Sequence, residues 1–474
     1  MQTTPISVDG QQKWASLPLS TARTPVRSLY VHIPFCFHKC HYCDFYSFVD
    51  SRDRQGVFVD RLIEEFSALA RHAGGGAAAD AGEADAAPAL DTIFVGGGTP
   101  SLLRPDLWAR LLGALRERFD LSTIDAGRGE FTVECNPETV TAELMATLAA
   151  GGVDRVSVGA QSFDQRHLVT LERHHDPENV ARALALANDA GIRRRSLDLI
   201  YAIPGQTLKE WASDLDRALE ADDGLEHMSC YALTYEPNTP MTKRMRRGDF
   251  EPADEGLESD MYEHTVRRLR EAGFERYEVS NFAKKREAMG NGQWAMGGES
   301  SDVTTHGPLP TAHRLPVSLH NLVYWRCGQW LAAGPSASGH IVTEGGGHRW
   351  KNVPHLTEWM QGVAASGGYS PIIDHEPPDA RRALAERLMM GVRIAEGLCE
   401  REMQERAEPL GAAEALQRAA AGQAELGRLS LADARWRLTD AGWLFADGVA
   451  SELMAALAPG ESTGRVAGDS SVRG

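Results

Sequence analysis

Cys36, Cys40 and Cys43, in the run Cys36-Phe-His-Lys-Cys40-His-Tyr-Cys43, are the residues whose types and spacing point most directly to chemistry. Three thiolates spaced C-x3-C-x2-C can hold three irons of a [4Fe–4S] cube, which leaves the fourth iron open to another ligand. A cube with an open iron can act on a molecule bound there, whereas a fully ligated one usually only carries electrons. Two other readings remain: three unrelated thiols, or a zinc site that takes His38 or His41 as its fourth ligand. Zinc is the weaker of these, because zinc spacings rarely run x3 then x2 and no second half follows. A glycine turn, Phe94-Val-Gly96-Gly97-Gly98-Thr99-Pro100, lies further along the chain. Its glycines let the backbone approach a ligand and turn N–H and C=O groups towards it. Such a turn is often nothing more; beside a three-cysteine loop it reads as a ligand cradle. Glu134, Gln161 and Asp198 end otherwise apolar runs, where burial without a partner is costly. They form either an internal network or a set of ligand contacts.

These residues need elements to position them. The apolar run Leu29–Ile33 predicts a strand that delivers Cys36 into a loop, and a helix follows with Val57, Phe58, Leu62, Phe66 and Leu69 at helical spacing. Strand-like runs at Asp91–Val95, Phe131–Glu134, Arg155–Gly159, Ser196–Ile200 and His227–Leu233 alternate with helical segments over 105–118, 141–150, 178–190 and 207–220. Such alternation predicts an α/β fold, a partial (βα)6 TIM-like barrel whose chemistry gathers after the strands' C-terminal ends. We expect a flexible leader over 1–26, the barrel over 27–235 with an insertion at 72–90, and an α+β extension over 236–375 with an insertion at 284–317. A small helical, winged-helix-like domain over 376–457 and a disordered tail over 458–474 complete the expected order. Within the extension, a helix near 255–272 precedes a short strand, Arg276–Phe282. Further on, 380–398, 401–420 and 439–456 read as helices, with a hairpin over Leu429–Leu438.

The formal net charge of −17 argues against non-specific nucleic-acid binding. Seven cysteines, three of them clustered, fit a reducing cytoplasm better than a disulfide framework. The N-terminus lacks the pattern of a secretory signal, and no run reaches the ~20 apolar residues that span a bilayer, so we expect no integral membrane protein.

The pattern Tyr30-x-His32-Ile-Pro-Phe-Cys36-x3-Cys40-x-Tyr42-Cys43, followed by Gly96-Gly-Gly-Thr-Pro100, resembles the radical S-adenosylmethionine (SAM) superfamily. Within it, the chain is similar to the branch of oxygen-independent coproporphyrinogen III oxidases and HemW-type haem chaperones, from about Ser28 to about Met454. The resemblance implies a [4Fe–4S] cluster on Cys36, Cys40 and Cys43, with SAM chelating the open iron. It also implies SAM contacts from Tyr30, Tyr42, Gly97, Gly98, Thr99, Glu134, Gln161, Arg173, Asp198 and Ala232. Within the branch, the oxidases carry a fourth cysteine two residues after the third, where this chain has Phe45. The chaperones show a His-Asn-x-x-Tyr-Trp element, present here as His320-Asn321-Leu-Val-Tyr324-Trp325. An imidazole can ligate haem iron and aromatic rings can lie against the macrocycle; alternatively these residues cap a loop and pack in a core. The resemblance favours a chaperone that binds haem through them and delivers it to haem-accepting apo-proteins, membrane-associated ones among the candidates. The alternative is a coproporphyrinogen III oxidase.

Overall fold

The structure, a computed structural model, describes residues 22, 24–74, 87–285 and 315–458. The expected leader, both insertions and the tail lie mostly or wholly outside these residues. The chain divides into two compact units, to Asp379 and from Ala380.

In the first unit six strands form in sequence: β1 (Ser28–Ile33), β2 (Thr92–Gly97), β3 (Glu130–Cys135), β4 (Arg155–Gln161), β5 (Arg194–Tyr201) and β6 (His227–Ala232). They pair in that order, all parallel. Their Val, Ile and Leu side chains and Phe131 are almost fully buried, and Phe94 partly so, as expected for strands covered on both faces. Helix α1 (Gln55–Gly74) buries Phe58, Leu62, Phe66 and Leu69, whereas Val57 turns outward and is 52% exposed. Helix α2 (Pro105–Arg118) begins with proline at its first position, where the missing N–H costs nothing, and buries Leu107, Trp108, Leu111 and Leu115. Helices α3 (Ala142–Ala150), α4 (Glu178–Asp189) and α5 (Leu208–Glu220) follow; α5 starts with a reciprocal Thr207–Glu210 capping box.

Two features correct the sequence expectation. The single strand over Arg276–Phe282 is a hairpin: β7 (Phe274–Arg276) and β8 (Asn281–Lys284) flank a turn in which the Glu278 carboxylate accepts from the Ser280 N–H at 3.2 Å. This hairpin joins β6 antiparallel. At the other edge β9 (Leu331–Ala333) lies parallel to β1 and extends the sheet to nine strands. Three residues of Leu-Ala-Ala carry no period from which to read a strand.

The second unit holds helices Ala380–Gly391, Glu400–Ala407, Ala413–Glu425 and Ala446–Ala455 beside a three-stranded antiparallel sheet. The helices are shorter than expected. The first already ends at Gly391, and the second passes into a short 3-10 turn closed by Gly411 at a left-handed φ of 67° before the next helix begins. Arg387 and Glu402 form a buried two-bond ion pair, at 3.0 and 3.1 Å.

Candidate metal centre and cofactor site

The cysteine loop leaves the C-terminal end of β1 and is tied on several sides. Gly98 and Thr99 donate their N–H groups to the carbonyls of Ile33 and Phe35 at 2.8 and 2.7 Å, so the glycine turn zips onto the start of the loop. A Cβ on Gly98 would stand 2.8 Å from the Pro34 carbonyl carbon and the Phe35 oxygen, so backbone contact requires glycine there. The His41 N–H reaches the Leu171 carbonyl at 3.3 Å, and the His41 carbonyl accepts from Met241 at 3.0 Å. Lys39 Nζ donates to the carbonyls of Phe45 and Ser47, both at 3.2 Å, and folds the loop back on itself.

Cys36 and Cys40 are buried, Cys43 half-buried, and all three are free thiols. Burial raises the Cys36 thiol pKa and pushes that of Cys43 up to about 11. Thr99 Oγ1 donates to the Cys36 sulfur at 3.5 Å, and Arg173 Nη1 approaches the Cys40 sulfur at 3.9 Å. Burial works against the Arg173 charge, but Tyr42 and Cys40 beside it more than offset this and its pKa is raised. Arg173 Nε is buried without a partner. Phe45, at 61% exposed, projects outward and offers no ligand.

Inside the mouth of the barrel, Glu134 Oε2 accepts from the Gly97 N–H at 3.1 Å. Burial, then the charge of Asp198, raises the Glu134 carboxyl pKa to about 7. Asp198 accepts from Ser157 Oγ at 3.0 Å and is itself raised, chiefly by burial. Gln161 takes a left-handed φ of 63° at a register shift between β4 and β5. A Cβ on Gly159 would stand 2.7 Å from Gln161 Nε2 and 3.0 Å from Arg173 Nη2, so this glycine makes room for both polar ends. Tyr30 donates to or accepts from His32 Nδ1 at 3.0 Å and stacks on Phe94 at 6.3 Å. Ala232, half-buried, ends β6 in register with Tyr201.

Helix α6 (Leu319–Trp325) is placed differently. Its N-terminus meets the N-terminal ends of the barrel strands, where Glu130 accepts from Ser318 Oγ and from the Leu319 and His320 N–H groups at 3.3, 2.9 and 3.2 Å. His320 is wholly buried; Nδ1 pairs with Thr92 Oγ1 at 2.9 Å and Nε2 with the Tyr324 hydroxyl at 2.8 Å. Its ring stacks on Phe94 at 5.5 Å, and burial lowers its pKa to about 4. Tyr324 packs edge-on against Trp330 at 4.6 Å, and Asn321 and Trp325 are half-buried. In this conformation His320 presents no free nitrogen to haem; the segment packs as a satisfied core.

The geometry can be compared with known proteins. Residues 30–218 match the Radical SAM superfamily and residues 379–445 the HemN C-terminal domain. The heme chaperone HemW of Mycobacterium tuberculosis is 36% identical over 90% of this chain and 94% of its own length. The chain belongs to the HemW family of radical SAM proteins. The HemW of Bacillus subtilis is 31% identical over 80% of this chain and 87% of its own. Among solved structures, coproporphyrinogen III oxidase (HemN) from Escherichia coli covers 96% of both chains with a TM-score of 0.71 at 20% identity, a likeness of fold.

The donor set fits the cofactors of this radical SAM family. Three thiols outside any disulfide share one loop, a buried guanidinium stands beside one of them, and two part-buried carboxyls form no salt bridge among the described residues. Carboxylates so placed gain from further donors beyond Ser157, Ser229 and the Gly97 N–H, and the amino group and ribose hydroxyls of SAM are donors of that kind. Sequence reasoning missed Ser157 and Ser229, which support Asp198, and Lys39, which folds the loop. Alternation along β4 and β6 was the available signal for the serines; none marked Lys39.

Proposed function

We propose that this protein is a haem chaperone that holds a [4Fe–4S] cluster with SAM and passes haem to haem-requiring proteins in the cytoplasm. The observation that carries this reading is the 36% identity to the heme chaperone HemW of M. tuberculosis along 90% of the chain. Phe45, in place of the fourth cysteine of the oxidases, supports it. The acceptors we propose are apo-proteins, some of them at membranes; among the described residues no helix is long and apolar enough to cross one.

In this reading Cys36, Cys40 and Cys43 bind three irons as thiolates, and metal binding must displace protons that burial otherwise holds on the sulfurs. When bound, the cluster can supply an electron to the SAM sulfonium. Arg173 balances thiolate charge, with Tyr42 beside it. Gly97, Gly98 and Thr99 open a backbone edge to the methionine part. Glu134 meets the amino group, Asp198 the ribose hydroxyls, and Gln161, Tyr30 and Ala232 line the rest of the cofactor. For haem, ligation by His320 requires one ring nitrogen to be freed from Thr92 or Tyr324, at about 1 kcal/mol, plus the cost of unseating α6 from the core.

Three measurements test the proposal. Anaerobic titration of the cluster-loaded protein should give a saturable haem spectrum, and incubation with coproporphyrinogen III, reductant and SAM should leave the porphyrinogen intact. Decarboxylated product would identify an oxidase instead. Cys36→Ala should abolish the cluster; iron and sulfide analysis still finding about four irons per chain would sink the ligand assignment.

A further inference from the structure

His38, Glu172 and His174 bring three ligand-type atoms within 4.8 Å of one another beside the cysteine loop. His38 lies between Cys36 and Cys40, while Glu172 and His174 come from the connection after the helical turn Gln165–Thr170. Both imidazoles place Nε2 near the same oxygen: His38 Nε2 is 3.6 Å and His174 Nε2 3.4 Å from Glu172 Oε2. The two rings cross edge to face with centroids 4.3 Å apart.

These distances exceed those of sound N–H···O bonds, about 2.7–3.2 Å. His38 Nε2 is shielded from water and has no hydrogen-bond partner. A tetrahedral metal has a different requirement. Bonds of roughly 2.0–2.2 Å to nitrogen and oxygen separate neighbouring donors by about 3.3–3.6 Å. Both nitrogen–oxygen distances here fall within or at the edge of that span.

We propose that His38, Glu172 and His174 bind a divalent transition cation of the zinc class, with a fourth position open to water. Two imidazoles and one carboxylate suit zinc better than magnesium or calcium, which favour oxygen ligands. His174 has 58% of its side chain exposed and lines a cavity of ≈ 540 Å³ with Phe37, Glu138, Thr139, Gln165 and His175, so the fourth ligand has access. Haem iron does not fit, because it takes one axial ligand on each face whereas three donors here converge on one point. A bound cation ties the cysteine loop to the segment that carries Arg173, the residue that approaches the Cys40 sulfur.

The test uses the full chain with its cluster loaded. After anaerobic equilibration with Zn²⁺ alone and removal of the excess, zinc should be retained with the iron content undiminished. His38→Ala, His174→Ala and Glu172→Gln should each weaken zinc binding at least tenfold and leave iron unchanged. With Co²⁺ the protein should show a tetrahedral spectrum without thiolate charge transfer; His174→Cys should retain the metal and add that band. Failure of the wild type to retain zinc, equal retention in the variants, or zinc gained at the expense of iron would each overturn the site. So would loss of haem binding in His174→Ala with zinc binding intact.

Discussion

Glu134 faces the barrel cavity with one backbone N–H as its hydrogen-bond donor and Asp198 close enough to repel it. Its carboxyl pKa is raised to about 7, so its protonated form favours the folded state fully below the ordinary carboxyl range, and that contribution is lost as pH rises through 7. Glu134→Gln should therefore raise the melting temperature of the cofactor-free protein by a few degrees at pH 8 and very little at pH 5. The same change should weaken SAM binding tenfold or more, measured by equilibrium dialysis on cluster-loaded protein. A variant neither more stable at pH 8 nor weaker for SAM would remove Glu134 from the site. Residues of this kind were legible because chemistry marked them: thiol spacing, a glycine run, acids ending apolar strands. His38 was marked only as a possible fourth zinc ligand beside the cysteines; Glu172 and His174 were not marked, since they are remote in sequence from it and only folding brings the three together. His320 was legible as a residue but not in its engagement, which depends on Thr92 and Phe94 from a distant strand.

Helix α6 depends on one side chain from another element. Glu130 accepts three hydrogen bonds from its N-terminus and faces Arg155 at 3.6 Å, with both side chains almost wholly buried. Removing one partner of such a pair leaves the other charged and unmatched, at a cost of roughly 3–5 kcal/mol. Glu130→Ala should lower the denaturation midpoint accordingly. If α6 must unseat for haem to reach His320, this variant should also take up haem faster, and adding His320→Ala should cancel the gain. Uptake unchanged by Glu130→Ala would leave His320 a core residue alone. At this scale the regular βα units were readable because strands buried on both faces leave long apolar runs and helices keep their period. The β7–β8 hairpin and β9 were not, since strands of three or four residues carry too few side chains to show a pattern.

For the whole molecule, buried titrating groups set a window of pH. Burial raises Glu65 to about 8 and Glu278 to about 7, alongside Glu134, so their stabilising protonated forms are lost as pH rises through that range. His32 and His320 are held neutral, each lowered to about 4, so their contribution stands above the ordinary imidazole range and is lost as pH falls from there towards 4. The cofactor-free protein should thus be less stable at pH 8 than at pH 6, as read from melting temperature against pH. A midpoint rising steadily to pH 9 would contradict this. The barrel was foreseeable from the alternation of its strands and helices, but the closing of its first edge was not. Strand β1, which launches the cysteine loop, pairs on one side with β2 and on the other with β9, roughly 300 residues later. At about 5–20 residues per second, a ribosome takes on the order of 15–60 s to make the intervening chain. Throughout that interval the emerging strand bears three reactive thiols next to an unpaired edge, so the order of synthesis sets the earliest moment at which a finished pocket can receive iron.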